Sequence, residues 1–189
     1  METATLRNNE TDLTPEDEDL LVEAARSDPE AFAALYRHYL TPVYRYLLRR
    51  SNNEHDAEDL TAQVFTEALE GLLSHHYRAG GCFAAWLFTI ARRRLVDFYR
   101  QPPAAILEDP PAPESGLLVE LERGEDTQQL VHLLDKLDDE RQELLRLRFS
   151  AGLSFAEIGL LEGRSEAAVK MALYRTLDFL REHWEDEDG

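Results

Sequence analysis

The chain has 189 residues and a formal net charge of −18, from 38 acidic and 20 basic side chains. Its 43% hydrophobic and 31% charged content excludes collagen-like, low-complexity and wholly disordered classes, and the length fits one domain or two small ones. No apolar run approaches the ~20 residues of a membrane span, the first residues lack a signal peptide's pattern, and Cys82 has no disulfide partner, so a cytoplasmic protein is expected.

The charge is uneven. Residues 1–30 carry ten acids and two bases, whereas 31–100 carry seven acids and nine bases. Residues 101–135 have eight acids against one base, 136–181 balance at eight and eight, and the last eight residues add five acids. Two near-neutral bodies are thus flanked and joined by acidic segments, which revives nucleic acid as a partner despite the overall sign.

In chain order, Thr14-Pro15-Glu16-Asp17 offers a cap oxygen, a proline at the first helical position and an acid at the third. Asp28-Pro29 and Thr41-Pro42 repeat the signal, so three helix starts are expected between Thr14 and Pro42. Leu20, Leu21, Ala24 and Ala25 form the first apolar stripe, and Phe32, Leu35, Tyr36 and Tyr39 the second. Another helix follows Asn53, with Leu60, Val64, Ala68 and Leu72 at intervals of four, and a further one spans 83–100. Five prolines in 101–116 mark a linker. Helices are expected again over 130–137, 139–149, 155–162 and 166–184. The predicted fold is all-α: two small helical domains, 14–100 and 127–184, joined by a Pro-rich acidic linker over 101–126. Acidic segments 1–13 and 185–189 flank them, and the second domain contains a helix-turn-helix.

That motif lies in 153–175. Ser154 and Glu157 form a capping box, Gly163 ends the short helix in a left-handed conformation, and Ser165 caps the longer one. Gly159 permits close approach, and Ile158, Val169 and Leu173 lock the pair. The start of the second helix offers Glu166, Ala167, Lys170 and Met171 to base edges, with Arg164, Lys170 and Arg175 near phosphate. A Gly-turned helical hairpin is also a common structural unit, the alternative to DNA binding here.

In 83–101, Arg92, Arg93 and Arg94 are consecutive, and Tyr99 and Arg100 extend a basic, aromatic surface suited to unpaired bases. The plainer alternative is a solvated face in which Arg93 pairs with Asp97. In 55–69, Asp59, Gln63, Thr66 and Glu70 share an outward face. Asp56, Glu58 and Asp59 sit at a helix N-terminus, where the dipole favours acids, so no enzymatic site is expected. His75, His76 and Cys82 lack a fourth ligand, so neither a metal nor any other cofactor is expected. Trp86, at helical spacing beside Leu87 and Ile90, is expected in the core.

Taken in order, DAEDL with TEAL, then FAAWLFTIARRRLVDFYR, then LRLRFSAGLSFAEIG and GRSEAAVKMALYR resemble a bacterial RNA polymerase sigma factor of the extracytoplasmic-function group. The resemblance covers about 16–182. It implies a non-enzymatic factor that binds core RNA polymerase and promoter DNA and directs initiation, with an anti-sigma protein as a possible third partner. By the same resemblance, Asp59, Gln63 and Thr66 contact core polymerase. The loop 75–82 reads a flipped minus-ten base, and Arg92, Arg93, Arg94 and Arg100 hold the melted strand. Arg164, Ser165, Ala167, Lys170, Met171 and Arg175 fall in the minus-thirty-five reader, and the linker threads toward the RNA path. Departures from the family pattern include Ala62-Gln63, Arg93 and Met171-Ala172. Glu162 stands in place of an apolar residue and is expected to loosen the second domain.

Two rival readings are a stand-alone helix-turn-helix regulator and an acidic protein-interaction module without DNA binding. The acid in the linker and tail is expected to weaken duplex binding by the free protein, and the tail to fray.

Overall fold

A computed structural model describes residues 13–77, 81–100 and 125–187; the acidic N-terminal segment and most of the linker lie outside these residues. The described residues form α1 (Pro15–Ala24), α2 (Pro29–Ser51), α3 (Glu54–Leu73) and α4 (Phe83–Arg100), followed by α5 (Glu125–Asp135) and α6 (Asp139–Leu145). A π-helical turn (Arg146–Ser150) extends α6, and α7 (Phe155–Glu162) and α8 (Glu166–Glu187) complete the chain. No strand occurs among them, and none of these helices is long and apolar enough to cross a membrane.

Local signals set most of the boundaries. The Thr14 side chain accepts from the Asp17 N–H and Asp28 from that of Glu30, each followed by proline at the first helical position. Asn52, left-handed at φ 56°, ends α2, and Asn53 starts α3 by accepting from the Asp56 N–H at 3.1 Å.

Pro42 does not start a helix; it lies inside α2. The buried face Leu35, Tyr39, Val43, Tyr46 and Leu47 runs straight through it. A helix-interior proline costs ~3 kcal/mol, and burying each such side chain returns about 1.5–3 kcal/mol, so packing wins. The first stripe is also corrected. Ala25 is buried and Leu21 packs on the core as expected, but Val22 is buried in place of Leu20, which is 71% exposed, and Ala24 is exposed, so the stripe that meets α2 is shifted from the expected one.

In the N-terminal half, α2 packs on α1, α3 and α4 through aromatic contacts, with Tyr39–Phe83 centroids 5.5 Å apart and Tyr46–Phe88 5.4 Å. Between α3 and α4 the approach is so close at Gly71 that a Cβ would meet Trp86 Cζ2 at 2.7 Å. In the C-terminal half, α8 packs on α5, α6 and α7. There the helix continues to Glu187, which corrects the expectation of a frayed tail. Leu177, Phe179 and Leu180 pack on the core, and Gln129 donates to the Trp184 carbonyl, one of the groups the helix end would leave open.

The halves also dock on each other: α4 packs on α7, and α2 on the π-helical turn, so the buried side chains form one continuous cluster.

Candidate nucleic-acid interface

The face of α4 beside α3 is a groove of about 660 Å³, lined among others by Trp86, Thr89, Arg93, Arg94, Ser74 and His76. Trp86 reaches it without leaving the core: its ring packs on Tyr77 and Phe83 at 5.0 and 5.6 Å while its flank stays partly open. Aromatic surface, guanidinium and hydroxyl groups thus share one cleft with the carboxylates of Glu67 and Glu70; the first three suit an unstacked base and its backbone once the acids are offset by the arginines.

The four arginines of α4 occupy different settings. Arg93, 59% exposed, pairs with Glu67 of α3 and not with Asp97, and Arg94 Nη2 lies 2.6 Å from Glu67 Oε2. Arg100 is exposed at the helix end beside Tyr99, whose hydroxyl donates to the Arg50 carbonyl. Arg92 faces the C-terminal half. Its Nε and Nη2 donate to Glu143 Oε1 at 3.2 Å, and Nη2 also pairs with Glu162.

Glu143, 13% exposed, gathers further donors: Tyr46 Oη at 2.6 Å, Arg50 Nη1 at 3.2 Å and Arg146 Nη1 at 3.5 Å. Burial, reinforced by the Glu143 charge, pushes the Tyr46 phenol well above its ordinary range and keeps it a donor. Glu162 therefore joins the two halves through Arg92. Glu143 and Tyr46 carry no sequence signal of this role. An acid on a short helix and a tyrosine on an apolar face look the same whether or not they meet 97 residues apart.

In the C-terminal half every local feature of the helix-turn-helix is present. Ser154 and Glu157 close the capping box, Gly163 takes φ 64°, and Ser165 Oγ accepts from the Ala168 N–H at 3.2 Å. A Cβ on Gly159 would meet the Arg164 carbonyl oxygen at 2.7 Å, and Ile158, Val169 and Leu173 are buried between the helices. Glu166, Ala167, Lys170, Met171 and Arg175 are exposed on α8, Met171 at 53%. Lys170 Nζ lies 5.9 Å from the Tyr174 ring, and Arg164 Nη1 is 2.5 Å from Glu140 of α6. Ser165 is thus committed to capping and Arg164 to a neighbouring acid, leaving Lys170 and Arg175 as the more available cations.

On α3, Asp59, Gln63 and Thr66 are exposed; Asp59 lies 3.7 Å from His55 Nε2, and the Thr66 hydroxyl donates to the Ala62 carbonyl. Cys82 Sγ accepts from the Ala85 N–H at the start of α4, and burial pushes the thiol upward, away from the reactive thiolate. Among the described residues no three His, Cys, Asp or Glu side chains gather in a way that could hold a metal ion.

Comparison with known proteins places these faces in context. Residues 35–102 match Sigma-70 region 2, and residues 127–180 match Sigma-70, region 4. The chain is 30% identical over 148 residues to the RNA polymerase sigma factor YlaC of Bacillus subtilis, covering 75% of this chain and 84% of that protein. It is 33% identical over 168 residues to the ECF RNA polymerase sigma factor BldN of Streptomyces coelicolor, covering 83% of this chain but 62% of BldN. The fold is similar to that of CnrH, solved in complex with the cytosolic domain of CnrY, with a TM-score of 0.63 at 24% identity over 91% of this chain and 99% of that one. With an Arg-bearing groove inside the region 2 match and a helix-turn-helix inside the region 4 match, the chain belongs to the sigma-70 family, in the extracytoplasmic-function group of RNA polymerase sigma factors that direct promoter recognition.

Proposed function

We propose that this chain works in the cytoplasm as a non-enzymatic initiation factor of two domains, 14–100 and 127–184, tethered by 101–126. In the first, the α3–α4 groove and the loop 75–82 take the melted minus-ten strand. Arg93 and Arg100 provide the accessible charge, Arg94 lies beside them, and Arg92 joins once Glu143 and Glu162 release it. In the second, Ala167 and Met171 of α8 meet base edges of the minus-thirty-five element, while Lys170, Arg175 and Arg164 hold phosphate around the Ser165 cap. Asp59, Gln63 and Thr66 dock on core polymerase. CnrH, a structural neighbour, is seen in complex with the cytosolic domain of CnrY, which supports an anti-sigma protein as a further partner.

The observation that supports this reading is the joining, in one chain, of an aromatic, arginine-bearing groove on α4 with a helix-turn-helix whose second helix exposes Ala167, Lys170, Met171 and Arg175. A stand-alone duplex reader would have no use for the first.

The test replaces Arg93 and Arg100 with alanine and compares a linear promoter with one melted in advance over the minus-ten element. Strand contacts are worth about 1–3 kcal/mol each, so permanganate reactivity on the linear template should fall at least tenfold while initial promoter binding changes little. Unchanged reactivity would remove these arginines from the strand path. A defect that persists on melted DNA would assign them to holding the strand and not to opening it.

A further inference from the structure

Arg26 stands between α1 and α2, far in sequence from any nucleic-acid contact considered above, yet its guanidinium closes on the stem of the 75–82 loop. Nη1 lies 2.7 Å from His75 Nδ1, and Nη2 donates to the Tyr77 carbonyl at 3.2 Å. Nε is buried with no hydrogen-bond partner, at 3.6 Å from Glu23 Oε2. The side chain is 18% exposed, so it is embedded in the loop's base and not offered to solvent.

What it holds is an unusual piece of backbone. His75 has φ 57°, in the left-handed region that a β-carbon disfavours by roughly 1–2 kcal/mol, and such strain persists where surrounding contacts impose it. On either side, the His75 N–H bonds to the Leu72 carbonyl, and those of His76 and Tyr77 to that of Gly71. Tyr77 is buried against Phe83 and Trp86, and its hydroxyl donates to the Gly81 carbonyl, tying the far side of the loop. His76 sits between the two residues Arg26 grips, lines the α3–α4 groove, and lies 2.7 Å through Nδ1 from Ser74 Oγ.

We infer that Arg26 is a positioning residue for minus-ten recognition: its two-pronged grip on His75 and Tyr77 sets the loop stem so that His76 meets an unstacked base at the groove in one geometry. The inference rests on the proposed use of that groove. A fork explains why arginine suits the position. Lysine, a single point charge, cannot reach the imidazole and the carbonyl in the same way.

The test uses core polymerase with the full-length protein and two DNA pools. One is a fork with a randomised single-stranded minus-ten segment; the other has a randomised duplex minus-thirty-five segment. Wild type, Arg26→Ala and Arg26→Lys are compared by the base preferences of bound DNA and by the salt slope of binding. Losing a charge-assisted grip should flatten preference at one or two neighbouring minus-ten positions by about tenfold in Arg26→Ala, with Arg26→Lys intermediate. The minus-thirty-five preferences and the salt slope should stay as in wild type. If Arg26→Ala does not fold, Arg26→Lys carries the test, with the same positions flattened to a lesser degree.

Wild-type preferences in a folded Arg26→Ala protein would overturn the inference, as would equal flattening in both pools. A salt slope lowered by about 0.7 with base preference intact would make Arg26 a direct phosphate contact instead, and would overturn it too. Absence of any minus-ten preference in the wild type would instead bring down the reading of the groove itself.

Discussion

Arg92 of α4 and Glu143 of α6 meet across the two halves of the molecule, with Nε and Nη2 both 3.2 Å from one carboxylate oxygen. The arginine belongs to the helix proposed to hold the melted strand, so in this arrangement the charge meant for phosphate is spent on an acid of the minus-thirty-five half. If α4 and α8 read the two promoter elements as proposed, this arrangement cannot engage both at once. The two elements lie roughly 25 base pairs apart, about 85 Å at 3.4 Å per pair. Here α4 packs on α7 and α7 on α8, which puts the reading helix about 20 Å from α4 at 8–10 Å per packed pair. Residues 101–126, fully extended, span at most ~90 Å, enough to let the halves part.

Glu143→Gln should therefore open the molecule. The carboxylate is well buried but its arginine partners are up to a third exposed, so the loss should be about 1–3 kcal/mol, below that of a fully buried pair. Small-angle scattering should give a larger radius of gyration than wild type at equal salt, and duplex affinity of the free protein should rise. An unchanged radius would mean that apolar packing of α4 on α7 holds the halves without the ion pairs.

Gly159→Ala should cripple the reading helix selectively. The new Cβ would meet backbone atoms, the Arg164 oxygen at 2.7 Å and the Glu166 nitrogen at 3.3 Å, which cannot swing aside as a flexible side chain would. Overpacking of this kind costs about 1–3 kcal/mol. Affinity for a minus-thirty-five duplex should drop while binding to a pre-melted minus-ten fork persists; equal losses on both would refute the assignment.

Much of the architecture is readable from local chemistry because it is enforced locally. The helix Phe83–Arg100 and the capping box of α7 depend on residues within a turn of each other, and both are visible in the letters. Pro42 misleads because the face that carries α2 through it is rewarded only by partners on other helices. The Glu143 cluster and Arg26's grip are illegible for the same reason: apart from Arg146, one turn from Glu143, the partners are 49 to 97 residues away, and nothing in an isolated Glu or Arg announces them. The exposure of Lys170 and Met171, by contrast, follows from the helix period once Val169 and Leu173 are assigned to the core.

Lys170→Ala should weaken binding to all minus-thirty-five variants alike and flatten the salt slope by about one ion. Met171 substitutions should instead change which variants are preferred, since its side chain is exposed on the same turn without a charge. Competition binding over a panel of duplexes at three salt concentrations separates the two. A base-specific shift from Lys170→Ala would reverse the roles.

Glu18 supplies a pH dependence. Burial raises its carboxyl above the ordinary range; Tyr39's hydroxyl donates to it and His38 lowers it somewhat, while Glu157 of the other half pushes it further up. A raised carboxyl favours the neutral form in the folded state, so its contribution is full at low pH and is lost as pH rises through the folded value. Glu18→Gln should thus melt at a higher temperature than wild type near neutral pH, with the advantage vanishing below about pH 4. A variant less stable than wild type at neutral pH would show that the Tyr39 bond to the ionised form outweighs burial.

The central claim is that this chain confers promoter choice on core polymerase through two separate DNA faces. Run-off transcription with purified bacterial core polymerase and a genomic promoter library tests it most directly. The account predicts discrete transcripts that require the added protein, lost in Arg93→Ala/Arg100→Ala and shifted to other promoters by Met171 substitutions. No specific transcript from any promoter, with core polymerase shown active on a non-specific template, would contradict it.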